Sequence, residues 1–300
     1  MKQLFDSILI LGPTASGKTK LAVQLAAHLN SIVISADSRQ VYKELNIGSG
    51  KDLSEYVFAN KKIPYRLIDC CTLEKEFTLV DFIKATQALK IEIESNNILP
   101  VICGGSGLYI ESMLKPFDLF DAAVDKTYRA YLEALTYQEL QELINQLPVK
   151  IEVNALNRYQ LIRKIEHSQY KAKPLIIKPY RPIVFGLNLN SELRWKRIQD
   201  RLNSRFQQGM VAEVESLLQL GISPERLKRL GLEYKYIVGY LLHEFGFEEM
   251  KNQLYIDIRK FAKRQMTYFR KMERDGLHIN WLDASYETEQ MLETCLKVIV

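Results

Sequence analysis

The run Ile8-Leu9-Ile10-Leu11 leads directly into Gly12-Pro13-Thr14-Ala15-Ser16-Gly17-Lys18-Thr19, and then into Lys20-Leu21-Ala22-Val23-Gln24-Leu25-Ala26. Four consecutive apolar residues predict a strand covered on both faces. The next eight fit G-x-x-x-x-G-K-[ST], and the segment after them reads as the first turns of a helix. A strand, a glycine-rich turn and a helix N-terminus in that order make a phosphate cradle. Gly12 and Gly17 let the backbone wrap until successive N–H groups converge, with Pro13, Thr14, Ala15 and Ser16 forming the wrap. Lys18 adds a point charge, and the Thr19 hydroxyl can hold a divalent metal. The loop alone does not choose a reaction, because kinases, hydrolases and transferases with a diphosphate leaving group all need such a cradle.

Further strands empty into polar tips. Ser31-Ile32-Val33-Ile34-Ser35-Ala36 predicts a second buried parallel strand delivering Asp37-Ser38-Arg39-Gln40-Val41-Tyr42. Leu99-Pro100-Val101-Ile102-Cys103 predicts another, ending in Gly104-Gly105-Ser106-Gly107. In an open parallel sheet ligands sit beyond the carboxyl ends of strands, which puts Asp37 and Ser106 beside whatever the cradle holds. Asp37 also suits a helix N-cap, and the glycines a plain tight turn, but the convergence of three polar strand ends favours a ligand. Asn46-Ile47-Gly48-Ser49-Gly50-Lys51 suits either a surface turn or a phosphate neighbour, and Ile63-Pro64-Tyr65-Arg66-Leu67-Ile68-Asp69 a short element with a polar tip. Residues 78–95 carry helical periodicity through Leu79, Phe82, Ile83, Thr86, Leu89 and Ile93.

From residue 119 to 178 the pattern changes to short amphipathic helices, around 128–135, 138–144 and 157–167, with prolines at 116, 174, 179 and 182 marking the ends. The expected organisation is a core begun by residues 1–118, a helical insertion over 119–178, and core completion with basic helices over 179–300. Pro182-Ile183-Val184-Phe185-Gly186-Leu187-Asn188-Leu189 resumes the sheet. Residues 191–208 predict a helix on which Arg197, Arg201 and Arg205 recur at i,i+4 as a guanidinium column. A last long helix over 252–274 interleaves Lys263, Arg264 and Arg270 with Phe261, Tyr268 and Phe269, the composition of a nucleic-acid contact with stacking surface. Arg39 and Lys51 are expected to join that positive face. Residues 289–300 suit a terminal helix or strand.

With 47% apolar residues the chain has the makings of an ordinary globular core, and a formal charge of +5 is in keeping with an anionic partner. Four cysteines, two of them adjacent at Cys70-Cys71, match neither a zinc knuckle nor a disulfide framework, and four scattered histidines carry no metal pattern. A reducing cytosol is the expected compartment. The predicted strand begins too early to leave room for a signal peptide, and no apolar run approaches the roughly 20 residues of a membrane span.

These stretches together resemble the bacterial tRNA dimethylallyltransferases, also called isopentenyltransferases. The resemblance rests on Gly12 to Thr19, Asp37-Ser38-Arg39-Gln40-Val41-Tyr42, Leu67-Ile68-Asp69, Gly104-Gly105-Ser106-Gly107-Leu108-Tyr109, Arg197-Ile198 with Arg201, Val238-Gly239-Tyr240 and Ala262-Lys263-Arg264-Gln265-Met266-Thr267-Tyr268-Phe269-Arg270, in family order. It implies a P-loop NTPase-like α/β fold, a parallel sheet flanked by helices with a small all-helical insertion. It also implies Mg²⁺-assisted transfer of a dimethylallyl group from dimethylallyl diphosphate to N6 of the tRNA adenosine 3′-adjacent to the anticodon, by a cytoplasmic monomer that grips the anticodon stem-loop. Carried over residue by residue, Asp37 is the general base, Ser106 stands near the attacking nitrogen, and Arg201 meets the leaving diphosphate. Gly12 to Thr19 cradle that diphosphate, with Thr19 on the metal. Asp37, Ser38, Arg39, Gln40, Ser106, Gln160, Arg163, Lys263, Arg264 and Arg270 are the expected tRNA contacts. The chain departs from the family at Tyr65-Arg66, where a His-His pair is usual, at Gly48-Ser49-Gly50-Lys51, and at Gln160, which stands for an arginine. The residues alone leave two rivals, a P-loop kinase for a nucleotide or small metabolite and an RNA-binding NTPase module without chemistry on RNA.

Overall fold

The computed structural model describes residues 5–115, 125–147, 157–169 and 177–299. They belong to two compact units, Met1–Lys115 with Pro179–Val300, and Pro116–Lys178. Pro116, Pro174 and the 118/119 boundary lie outside the described residues.

The first unit begins with strand β1 (Ser7–Leu11), helix α1 (Lys18–His28) and strand β2 (Val33–Ala36). A small antiparallel hairpin, β3 (Val57–Phe58) and β4 (Lys61–Lys62), precedes β5 (Tyr65–Arg66), all that forms of the element expected over 63–69. Helix α2 (Leu79–Ser95) starts where the side chain of Thr78 and Asp81 make a reciprocal capping box. Strand β6 (Val101–Gly104) and helix α3 (Gly107–Leu114) follow.

The second unit contains α4 (Lys126–Ala134), α5 (Tyr137–Asn145) and α6 (Arg158–Gln169), closed over Leu132, Leu140, Ile144, Leu161, Ile162 and Ile165. The first unit then resumes with β7 (Pro182–Asn188), α7 (Ser191–Gln207), α8 (Met210–Gln219), α9 (Pro224–Arg229), α10 (Leu232–Leu241), α11 (Phe247–Arg274), β8 (Asn280–Asp283) and α12 (Thr288–Ile299). Helix α11 starts at Phe247 rather than near 252, because Glu248 and Glu249 complement the positive end of the helix dipole and Gly246 leaves the chain extended before it.

The six strands run parallel in the order β5-β2-β6-β1-β7-β8. Alternation along β1 explains the need for apolar residues on both faces. Ile8 and Ile10 join a core with α1 and α12, whereas Leu9 and Leu11 join another with α2, α3 and α11. A third core, including Ile198, Leu202, Met210, Val214, Tyr234, Ile237 and Ile258, holds α7, α8, α10 and α11 together beside the sheet. Among the described residues no helix is long and apolar enough to cross a membrane.

In the second unit Glu166 is buried and takes Arg129 in a paired contact, with Arg163 Nη1 donating to it at 3.0 Å. Burial works against the carboxylate, yet Arg129 and Arg163 hold its pKa below the usual glutamate range. The pair's contribution is therefore complete above the unfolded-state value of about 4.3 and lost as pH falls through the depressed folded value. Glu166→Gln should cost this unit about 3 kcal/mol, the lower end for breaking a buried pair. The loss should be read as faster hydrogen exchange at the α4 and α6 amides, and it should shrink below pH about 4 where the native pair is itself failing.

Candidate active site

Register is what assembles the site. Leu11 pairs with Gly104 across β1 and β6, and Ala36 pairs with the same Gly104 across β2 and β6, so three neighbouring strands end level. The chain leaves them as Gly12, Gly105 and Asp37, three loops delivered to one edge of the sheet. A side chain at Gly104 would collide with the Ala36 carbonyl and lie 2.6 Å from the Ala36 Cβ, so this approach needs glycine.

The loop after β1 wraps as the sequence predicts. Ala15 and Gly17 adopt left-handed φ of 60° and 84°, and Gly17 is the N-cap of α1 with no side chain bonded to the helix end. The first amides of the helix are thus offered to an anion instead of to a capping side chain. Ser16 Oγ is buried without a partner, and Lys18 Nζ donates to the Pro13 carbonyl at 3.3 Å. Burial pulls the Lys18 ammonium below the usual lysine range, and Arg201 adds to that, so a bound anion would be strongly favoured by both groups.

A cavity of about 280 Å³ joins this cradle to Asp37, Ser38, Ser106 and the column Arg197, Arg201 and Arg205. The i,i+4 stripe on α7 therefore points inward. Arg201 Nη1 donates to Thr14 Oγ1 at 3.3 Å and Nη2 to the Gly50 carbonyl at 3.4 Å. Arg205 is committed elsewhere. Its Nη1 donates to Glu233 at 3.4 Å, and burial together with Arg201 pushes its pKa down to about 10. Asp37 Oδ1 accepts the Arg39 N–H at 3.0 Å, and Ser106 Oγ accepts the Ser38 N–H at 3.4 Å, so both side chains are held by the loop that follows β2.

The donor set suits a hard divalent cation beside a phosphate group. Thr19, Asp52 and Glu55 supply oxygen, the ligand type of a hard cation that shares its coordination with phosphates, and Ser16 Oγ is an unpaired buried hydroxyl in the same lining. Among the described residues no three His, Cys, Asp or Glu side chains cluster into a metal site of their own.

Several expected contacts are already engaged within the protein. Lys51 is buried and paired with Asp69 and the carbonyls of Tyr42 and Lys43, so it is no part of an exposed positive face. Arg39 Nη1 donates to Glu233 Oε2 at 2.7 Å. Gln40 braces the loop, accepting from Ser35 Oγ at 2.9 Å and donating to the Gly50 carbonyl at 3.2 Å. The amides of Asn46, Ile47 and Gly48, a concavity that an anion would fit, are filled by the Glu213 carboxylate at 2.7–3.1 Å, while Ser49 and Gly50 do line the cavity. In the second unit Gln160 caps α6 by accepting the Asn157 N–H at 2.9 Å, and Arg163 is turned to Glu166. Lys263, Arg264 and Arg270 are exposed on α11, with Lys263 Nζ 5.8 Å from the centre of the Trp195 ring.

Two lining residues, Phe261 and Gln265, lie on α11 within the basic run. The sequence marks Phe261 as stacking surface and Gln265 as part of the family motif, but their i,i+4 spacing opposite the charged positions also marks an ordinary core face and places neither in the cavity.

Residues 40–272 match the family model for IPP transferase. The chain is 40% identical over 302 residues to tRNA dimethylallyltransferase 1 of Parabacteroides distasonis, covering 98% of both chains. Against tRNA dimethylallyltransferase 2 of Bacteroides fragilis it is 40% identical over 295 residues, covering 96% of both. Its fold superimposes on the crystal structure of the full-length tRNA isopentenylpyrophosphate transferase from Bacillus halodurans with a TM-score of 0.71 and 30% identity, over 98% of this chain and 95% of that one. A phosphate cradle, an aspartate and a serine set level by three parallel strands thus belong to a chain related along nearly its whole length to such enzymes, and this chain is a member of the IPP transferase family.

Proposed function

We propose that this enzyme transfers a dimethylallyl group from dimethylallyl diphosphate to N6 of the adenosine 3′-adjacent to the anticodon in tRNA, releasing diphosphate. The observation that carries the reading is the single cavity holding the phosphate cradle, Arg201, Asp37 and Ser106 together. The relatives' names supply the chemical groups. Nucleophilic N6 and electrophilic C1 need a cradle for the leaving group on one side and a proton acceptor on the other, and the cavity has both.

The N6 lone pair is delocalised into the adenine ring, so the amine must be oriented and must lose a proton as the C–N bond forms. Asp37 is the base that accepts it, and the Ser106 hydroxyl orients the amine. As N6 bonds to C1, the C1–O bond breaks and its electron pair leaves on the diphosphate. Lys18, the cradle N–H groups and Arg201 meet that developing charge. The Thr19 hydroxyl would hold Mg²⁺, which when bound would supply further positive charge for the leaving group. The α11 face with Lys263, Arg264 and Arg270 would contact the anticodon stem-loop; Gln160 and Arg163 remain separate candidate tRNA contacts of the helical unit, where they are engaged with Asn157 and Glu166. The enzyme is proposed to act as a cytoplasmic monomer; its four free cysteines suit a reducing compartment.

Incubation with labelled dimethylallyl diphosphate and unmodified tRNA, with and without Mg²⁺, tests the reading. Label in N6-modified adenosine is expected with the metal, and phosphoryl transfer from ATP to a small acceptor without labelled RNA would overturn it. Asp37→Asn keeps the acceptor for the Arg39 N–H but not the base, so single-turnover rate should fall about 10²–10⁴-fold with the unfolding midpoint unchanged. Changing Lys263 and Arg264 together to Ala should weaken tRNA binding and reduce the slope of log affinity against log salt by about 1–2, measured by salt titration.

A further inference from the structure

Thr14, at the start of the phosphate cradle, and Gly105, beside Ser106, are joined through one side chain from a third element. Gln265 of α11 is buried, with 8% of its surface exposed. Its Oε1 accepts the Thr14 N–H at 2.9 Å, and its Nε2 donates to the Gly105 carbonyl at 2.8 Å. The chemistry of the partners fixes which end is which, since a backbone N–H only donates and a carbonyl only accepts. A carboxamide offers both functions at once whatever the pH, which a carboxyl of the same length does only when protonated. The fit is close. A Cβ at Gly105 would lie 2.5 Å from Gln265 Nε2 and 3.3 Å from the Gly12 carbonyl, so the cradle, the Ser106 loop and α11 meet with no room between them.

Each bonded backbone group sits next to working chemistry. Thr14 Oγ1 accepts from Arg201, on the leaving-group side, and Gly105 is followed by Ser106, on the acceptor side. The same helix turn carries the exposed Lys263 and Arg264. We propose that Gln265 is a positioning residue that sets the separation between diphosphate cradle and acceptor loop and ties both to the cationic helix. The inference rests on the transfer reaction proposed above. Its consequence is kinetic. Each substrate meets its own loop, so binding of either one alone needs only that loop, whereas transfer needs both loops in register. A misplacement of about 1 Å between reacting groups costs about 10²-fold in rate.

The test compares the wild-type enzyme with Gln265→Met and Gln265→Glu, using labelled dimethylallyl diphosphate and unmodified tRNA, with each substrate's Kd, the single-turnover rate at saturation, and the unfolding midpoint. Gln265→Met keeps the volume and loses both bonds, so the rate should drop about 10²-fold while each Kd stays within about threefold. Gln265→Glu adds a second readout. Its carboxylate repels the Gly105 carbonyl, but the protonated acid has one donor and one acceptor and restores both bonds. The ratio of variant to wild-type rate should therefore rise as pH is lowered. Lys18 meets Gln265 beside Gly105, and with Arg39, Arg197, Arg201 and Arg205 of the same cavity it moves the recovery to more acid pH, while burial, Asp37, Asp52 and Glu55 move it to less acid pH, and neither group changes its direction.

If Gln265→Met does not fold, the pH ratio of Gln265→Glu decides alone. A ratio flat with pH, or a rate loss accounted for by weaker binding of one substrate, overturns the inference and leaves the transfer reaction standing. No label transfer by the wild-type enzyme overturns the reaction and the inference with it.

Discussion

The site depends on crowding cations against a low-dielectric wall. Lys18, Arg197, Arg201 and Arg205 line one cleft, and their mutual repulsion together with burial is visible in the depressed Lys18 and Arg205. Such a cluster persists only if neighbours hold it. Glu233 bridges Arg205 and Arg39, and the Gly50 carbonyl takes Arg201. Lys18, Arg39, Arg197, Arg201 and Arg205 outnumber Asp37, Asp52 and Glu55 around the cleft, and in the reaction proposed above that excess would meet charge developing on the leaving group.

Holding that arrangement falls to elements outside the cradle. Glu213 on α8 occupies the amides of Asn46 to Gly48, and Tyr234 Oη donates to it at 3.0 Å. This anchors the loop whose Gly50 faces Arg201. A Cβ at Gly48 would come within 2.6 Å of the Tyr234 ring, so the loop lies flush on α10. The core of α7, α8, α10 and α11 therefore has a role beyond stability, because it fixes where the arginine column and the 46–51 loop stand relative to the sheet.

A carboxylate or a carboxamide filling a backbone concavity recurs in this chain. Glu213 fills the 46–48 amides, and Gln265 takes the Thr14 N–H. Both satisfy partly buried backbone donors, at Ile47, Gly48 and Thr14, and both leave the amides at the N-terminus of α1 without a side-chain cap.

The sequence by itself determined the cradle, the strand ends and the helices of strong periodicity. Gly12 to Thr19 after an apolar strand points to a phosphate loop, and the i,i+4 arginines and the periodicity of residues 78–95 are likewise local features. Strand β8 and the bounds of β5 and α11 were less legible, since short edge strands carry little alternation and helix ends depend on caps. Tertiary structure decided which charges are free. Lys51 and Arg39 read like Lys263 and Arg264 in the sequence, yet the first two are consumed by Asp69 and Glu233, residues 18 and 194 positions away. It also decided that the arginine stripe of α7 faces the cleft and that Gln265 links two loops, one of them 251 residues distant. Pairing and burial are long-range properties, fixed by how parallel strands align and how helices pack on them, and no local pattern encodes them.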